Sequence, residues 1–205
     1  MKQVILSVIG LAVASAGALG GYLGWWESSQ IVYDLGDVVD DFSLTDIYGN
    51  SVSLTDYDEA QGWAIIFTCN SCPYSLLYED RIIDLAANYP ERGVPVLVLN
   101  PNNPDVKPGD QVQKLMERAD SLQFNFPYLI DDQRIYKRFG AEKTPAVYVL
   151  DRDRTLRYRG AIDDNVHNAE GVKEKYLEQV LEVLLNEEIP ELRETRVIGC
   201  TIKAR

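Results

Sequence analysis

Apolar positions along this chain form two kinds of pattern that alternate. Trp63-Ala64-Ile65-Ile66-Phe67-Thr68 and Val94-Pro95-Val96-Leu97-Val98-Leu99-Asn100 are short continuous apolar runs, as expected of strands buried on both faces. Between them, Leu76, Leu77, Ile82, Ile83, Leu85, Ala86 and Tyr89 recur at helical spacing and predict a helix running to Tyr89. Upstream, Asp41-Phe42-Ser43-Leu44-Thr45-Asp46 and Ser51-Val52-Ser53-Leu54 alternate apolar and polar around Tyr48-Gly49-Asn50, which predicts a β-hairpin.

Downstream the alternation continues. The Asn100–Gly109 stretch is a loop by its proline and asparagine content. Residues 110–122 predict a helix with Val112, Leu115, Met116 and Ala119 on one side. Phe126–Ile130 is extended and Ile135–Phe139 a helical turn. Ala146–Leu150 and Leu156–Arg159 read as strands flanking a turn, and Val172–Asn186 as a terminal helix with Val172, Tyr176, Val180, Val183 and Leu184 inward. The order implies an α/β domain: a central mixed sheet with helices on both faces and an N-terminal β-hairpin extension.

The N-terminus departs from that pattern. Residues 3 to 26 carry no charge, and five glycines lie between Gly10 and Gly24, which disfavours a buried core helix. The stretch reads as a signal peptide or a membrane anchor, with Trp25-Trp26 suited to a membrane–water interface. Residues 27–32 form a linker, and the domain at 33–205 is expected outside the cytoplasm, periplasmic or secreted. Contact with a membrane is expected only if the segment is uncleaved. At 205 residues the chain holds one domain plus this extension, and its net charge of −12 argues against binding nucleic acid or anionic lipid.

The candidate chemistry lies at the end of the first buried run, in Cys69-Asn70-Ser71-Cys72-Pro73. Proline is accepted in the first turn of a helix, so the two cysteines flank a helix start. Backbone N–H groups and the helix dipole stabilise a thiolate there. Cys69, nearer solvent, is expected to be the low-pKa nucleophile, and Cys72 the resolving thiol. Zinc or structural cysteines are the alternative. Cys200 is left over; it reads either as a small packed residue or as a third redox thiol. No cofactor and no metal are expected.

These residues resemble the thioredoxin-like fold and, within it, the redoxin branch of alkyl hydroperoxide reductase and thiol-specific antioxidant proteins. The matching features are the hairpin, the Cys69–Pro73 turn and Thr144-Pro145 before a strand. Phe126–Leu129, Tyr158–Asp164 and Gly199–Lys203 are similar to a peroxiredoxin-like subgroup, and the likeness covers about residues 33 to 205. The resemblance implies that Pro145 follows a cis bond and packs beside the cysteine pair, with Thr144, Asn70, Ser71 and Pro73 supporting. It also implies protein disulfide or dithiol substrates and an electron donor or acceptor.

The chain departs from the relatives at several positions. Thr68 stands where thioredoxins have tryptophan, Trp63 where they have a buried aspartate, and Ser75 where membrane-tethered reductases have glutamate. No base for Cys72 is evident, and Glu79 reads as a solvated surface residue.

Three activities compete. A thiol–disulfide oxidoreductase uses both cysteines. A peroxiredoxin needs a proline and a Thr or Ser seven and three residues before its cysteine; Gly62 and Ile66, or Ile65 and Cys69, do not supply them. A copper chaperone needs a wider cysteine spacing and a histidine near Thr144, whereas the single histidine, His167, lies in a later loop.

Overall fold

The computed structural model describes residues 32–204. Its nine strands are β1 (Ser43–Asp46), β2 (Ser51–Ser53), β3 (Gly62–Phe67), β4 (Val96–Asn100), β5 (Tyr128–Ile130), β6 (Lys143–Thr144), β7 (Ala146–Asp151), β8 (Leu156–Gly160) and β9 (Cys200–Thr201). Its helices are α1 (Pro73–Asn88), α2 (Val112–Leu122), α3 (Ile135–Arg138) and α4 (Tyr176–Leu185). Seven strands form one mixed sheet in the order β2-β1-β5-β4-β3-β7-β8, while β6 and β9 pair separately. This is the α/β thioredoxin-like fold expected, with the β1–β2 hairpin at one end of the sheet.

The central strands β3 and β4 run parallel, with β7 antiparallel on the other side of β3. Every residue of β3, β4 and β7 is buried, which explains their unbroken apolar runs. Alternate residues serve opposite faces. Ala64, Ile66, Val96 and Val98 join one core with Ile82 and Leu85 of α1, Leu115 of α2 and Leu181 of α4. Trp63, Ile65, Phe67, Leu97 and Leu99 join the second, under α3 and the N-terminal residues Tyr33 and Phe42. In the hairpin, the Asp46 carboxylate accepts from the N–H groups of Tyr48 and Asn50, and Gly49 takes the positive φ that the turn requires.

Three expectations are corrected. Leu76 and Leu77 of α1, and Val112 of α2, are exposed, while Ser75 and Tyr78 turn inward. The buried stripe of α1 is therefore rotated from the one read by hydrophobicity alone, because polar Ser75 and amphipathic Tyr78 occupy inner positions. The last helix starts at Tyr176, not Val172; residues 169–171 form a 3₁₀ turn before it. Its inner face is Leu177, Val180, Leu181 and Leu184, with Tyr176 and Val183 at the margins. Finally, that helix does not end the fold. Residues 193–204 return along the molecule: Arg159 N–H donates to Arg193 O, Thr195 N–H to Arg159 O, and Ile202 N–H to Glu142 O. Residues 1–26 and the linker up to 31 lie outside the described residues. Among the described residues no helix is long and apolar enough to cross a membrane.

Candidate active site

Strand β3 ends at Phe67 and α1 begins at Pro73, so the cysteine turn bridges a strand end and a helix start. Cys72 is the N-cap of α1 in extended conformation, with Pro73 in the first turn. Cys72 is fully buried and Cys69 only 3% exposed. All three cysteines are free thiols, and Cys200 is partly exposed.

Thr144 brings the two thiols together. Its hydroxyl lies 3.2 Å from Cys69 Sγ, and its carbonyl accepts from Cys72 Sγ at 3.2 Å. The Thr144–Pro145 bond is cis, as the resemblance implied, so the carbonyl that meets Cys72 belongs to the peptide leading into Pro145.

The electrostatics tie the two thiols together. The hydrogen bond with Cys69, opposed by burial and aided by Cys200 and the Ser75 backbone N–H, lowers Cys72. The Ser75 N–H is an otherwise unpaired donor of the first helical turn, so the helix start acts on Cys72, its N-cap. Cys69 is raised by the same hydrogen bond and by burial, with the Asp110 carboxylate adding to the rise. The two thiols lie in one hydrogen-bonded cluster with Thr144 and lose their first proton as a pair.

Asp110, which the sequence pattern marks only as the start of a helix, organises the turn. It is 1% exposed and accepts from the backbone N–H of Asn70 at 2.8 Å and of Ser71 at 3.2 Å. It also accepts from the side-chain amides of Asn100 and Asn102. One carboxylate therefore satisfies four donors and fixes the backbone between the cysteines. The available signal was an aspartate after Pro108-Gly109 in a polar loop, too common to single out. Asn70 itself reaches the Lys114 carbonyl with its amide, and Ser71 packs against Gly109, where a Cβ would stand 2.9 Å from its hydroxyl. Pro73 is exposed on the first turn.

Glu79 is not a solvated surface residue: it is largely buried and paired with Arg118 through two hydrogen bonds. Ser75 is buried beneath Cys72, where its backbone rather than a carboxylate acts. His167 is exposed against Tyr74. Among the described residues no group of three or more His, Cys, Asp or Glu side chains is placed to hold a metal ion.

Comparison with known proteins agrees with this architecture. A crystal structure of a hypothetical protein from Sinorhizobium meliloti 1021 superimposes with a TM-score of 0.77 at 28% identity, covering 84% of this chain and 96% of that one. An uncharacterized conserved protein from Geobacillus kaustophilus gives a TM-score of 0.77 at 32% identity, over 85% and 94% of the two chains. A curated relative, the thiol-disulfide oxidoreductase ResA of Geobacillus thermodenitrificans (strain NG80-2), is 27% identical over 123 residues, 58% of this chain and 64% of that protein. The model of the AhpC/TSA family matches residues 35–159. That stretch contains the hairpin, the two-cysteine turn and the cis-proline strand, and on it the chain belongs to the AhpC/TSA family of thioredoxin-like redoxins.

Proposed function

We propose that this protein is a thiol–disulfide oxidoreductase working through Cys69 and Cys72. The observation that carries the reading is the paired geometry: two free thiols on one turn, both held by Thr144. The distant likeness to ResA supports the same chemistry. In the reducing direction the Cys69 thiolate attacks an incoming disulfide sulfur and displaces one thiolate, which takes up a proton. Cys72 then gives up its proton and attacks the Cys69 sulfur, closing the Cys69–Cys72 bond and releasing the second thiolate. Two electrons leave the pair and reduce one disulfide; the reverse sequence oxidises a dithiol. Substrates are protein disulfides or dithiols, and the site of action lies outside the cytoplasm, a reading that rests on the uncharged segment 3–26.

The test is catalysed reduction of insulin by dithiothreitol, compared with consumption of hydrogen peroxide by the same preparation. Disulfide reduction should be catalysed and should fall to background in both Cys69→Ser and Cys72→Ser. Peroxide turnover without disulfide exchange would replace the reading with a peroxidase. Fractionation of the native host followed by N-terminal sequencing checks location; a cytoplasmic product retaining Met1 would overturn export.

A further inference from the structure

The matched family segment ends at residue 159, yet the chain returns to the cysteine turn forty residues later. Strand β9 pairs with β6 in the register Thr144↔Cys200, beside the residue that holds both thiols. Gly199 is pressed against that residue so closely that a Cβ there would stand 2.1 Å from Thr144 O. The segment is pinned beyond Cys200 as well. Ile202 is buried in the second core, and Lys203 N–H donates to Asn102 Oδ1 at 2.8 Å. Asn102 in turn donates to Asp110, which holds the cysteine turn. As a result Cys200 stands opposite Thr144, whose carbonyl meets Cys72 Sγ, and bears on the Cys72 pKa.

We propose that Cys200 is a third redox thiol that exchanges with the buried pair, so that a Cys72–Cys200 disulfide is an intermediate between the pair and its partner. The proposal rests on the oxidoreductase reading and extends it. Exposure favours it: Cys72 has no exposed surface and Cys69 almost none, whereas Cys200 is partly exposed.

The step balances internally. With the pair oxidised, the Cys200 thiolate attacks the Cys72 sulfur; the Cys72–Cys200 bond forms and the Cys69–Cys72 bond breaks. The electron pair leaves on Cys69, which takes the proton that Cys200 gave up. No net oxidation occurs. An incoming substrate thiolate then attacks the Cys200 sulfur and expels Cys72, a thiol of lowered pKa and so a good leaving group. Electrostatics time the exchange. In the reduced protein Cys200 is pushed up to about 11, by burial and then by its hydrogen bond to, and repulsion from, Cys72. Closing the Cys69–Cys72 bond removes the charge of the pair, while Lys107 and Lys203 continue to favour the Cys200 thiolate.

The test uses the full chain, reduced and then treated with an equimolar amount of diamide. Samples are quenched in acid over time, free thiols are blocked, and linked peptides are mapped by mass spectrometry. The expected result is a Cys72–Cys200 link alongside the Cys69–Cys72 link in the unaltered protein. The Cys72–Cys200 link should be the sole intramolecular link in Cys69→Ser, and it should be lost in Cys200→Ser, which still closes Cys69–Cys72. A protein that closes Cys69–Cys72 and reduces insulin, but never links Cys200 with or without Cys69, overturns the relay and leaves the oxidoreductase reading standing. Failure to close any intramolecular disulfide overturns both.

Discussion

Cys72 gathers its donors from three parts of the chain: Cys69, Cys200 and the Ser75 N–H. The ionisation of the thiol pair therefore depends on folding, and it should be visible directly. The reduced protein is expected to show thiolate absorbance at 240 nm at neutral pH, and both Cys69→Ser and Cys72→Ser should shift its titration. A titration that neither substitution moved would show that the two thiols do not ionise as a pair. Asp110 is the second residue whose role is set by its surroundings. Replacing it with alanine strands the N–H groups of Asn70 and Ser71 and two side-chain amides in a buried site. Removal of such an acceptor costs about 2–4 kcal/mol, to be read from urea unfolding. Loss of its negative charge should also lower the Cys69 pKa, since Asp110 helps to raise it.

At the scale of elements, the site is a junction of four chain segments: the end of β3, the start of α1, the residues of β6 before Pro145, and β9. The first three bring the two cysteines and Thr144 together, and β9 pairs beside them. Position 199 tests how tightly β9 is bound. A Cβ there would meet backbone atoms of Thr144, which no side-chain rotation can relieve. Gly199→Ala is therefore expected to lift β9 from β6, with two measurable effects: faster alkylation of Cys72 and faster proteolysis after Arg196. Because Ile202 of the same segment belongs to the second core, a modest fall in the unfolding midpoint should accompany them. Unchanged alkylation and proteolysis would show that β9 does not cover Cys72.

For the whole molecule, the thiols couple redox state to stability. Cys72 is lowered from its ordinary value of 9.0 by its hydrogen-bonded neighbours. Its contribution is complete above about pH 9 and is lost as pH falls through its folded value. Cys200, raised to about 11, and Cys69, raised as well, act in the opposite sense; their contribution is present below about 9 and is lost as pH rises through their folded values. The stability of the reduced form relative to the Cys69–Cys72 disulfide form should thus rise with pH up to about 9 and fall beyond it. Urea unfolding of both forms across that range measures the difference, in which the carboxylates common to both cancel. A flat difference would rule out a buried thiolate in the reduced state.

Much of this architecture is local in origin. Continuous apolar runs bounded by turn residues specify β3, β4 and β7, because a strand buried on both faces can carry no polar residue mid-run. Cys72-Pro73 marks the start of α1 because proline is accepted in a first turn but not in a helix interior. The spacing of the two cysteines and the order of Thr144-Pro145 after them pointed to the candidate site, and the fold brings those residues together. What remained undetermined depends on contacts between residues far apart in sequence. The electrostatics of the thiol pair depend on the two cysteines themselves, on Thr144, on the Ser75 N–H of α1 and on Cys200 of β9. The role of Asp110 comes from meeting a loop some forty residues upstream, and that of Cys200 from pairing with Thr144. Hydrophobic periodicity records which side of an element faces a core, but it carries no information on which polar groups meet across it. Hydrogen bonds and thiol pKa values are set by those meetings, and only the folded chain brings them about.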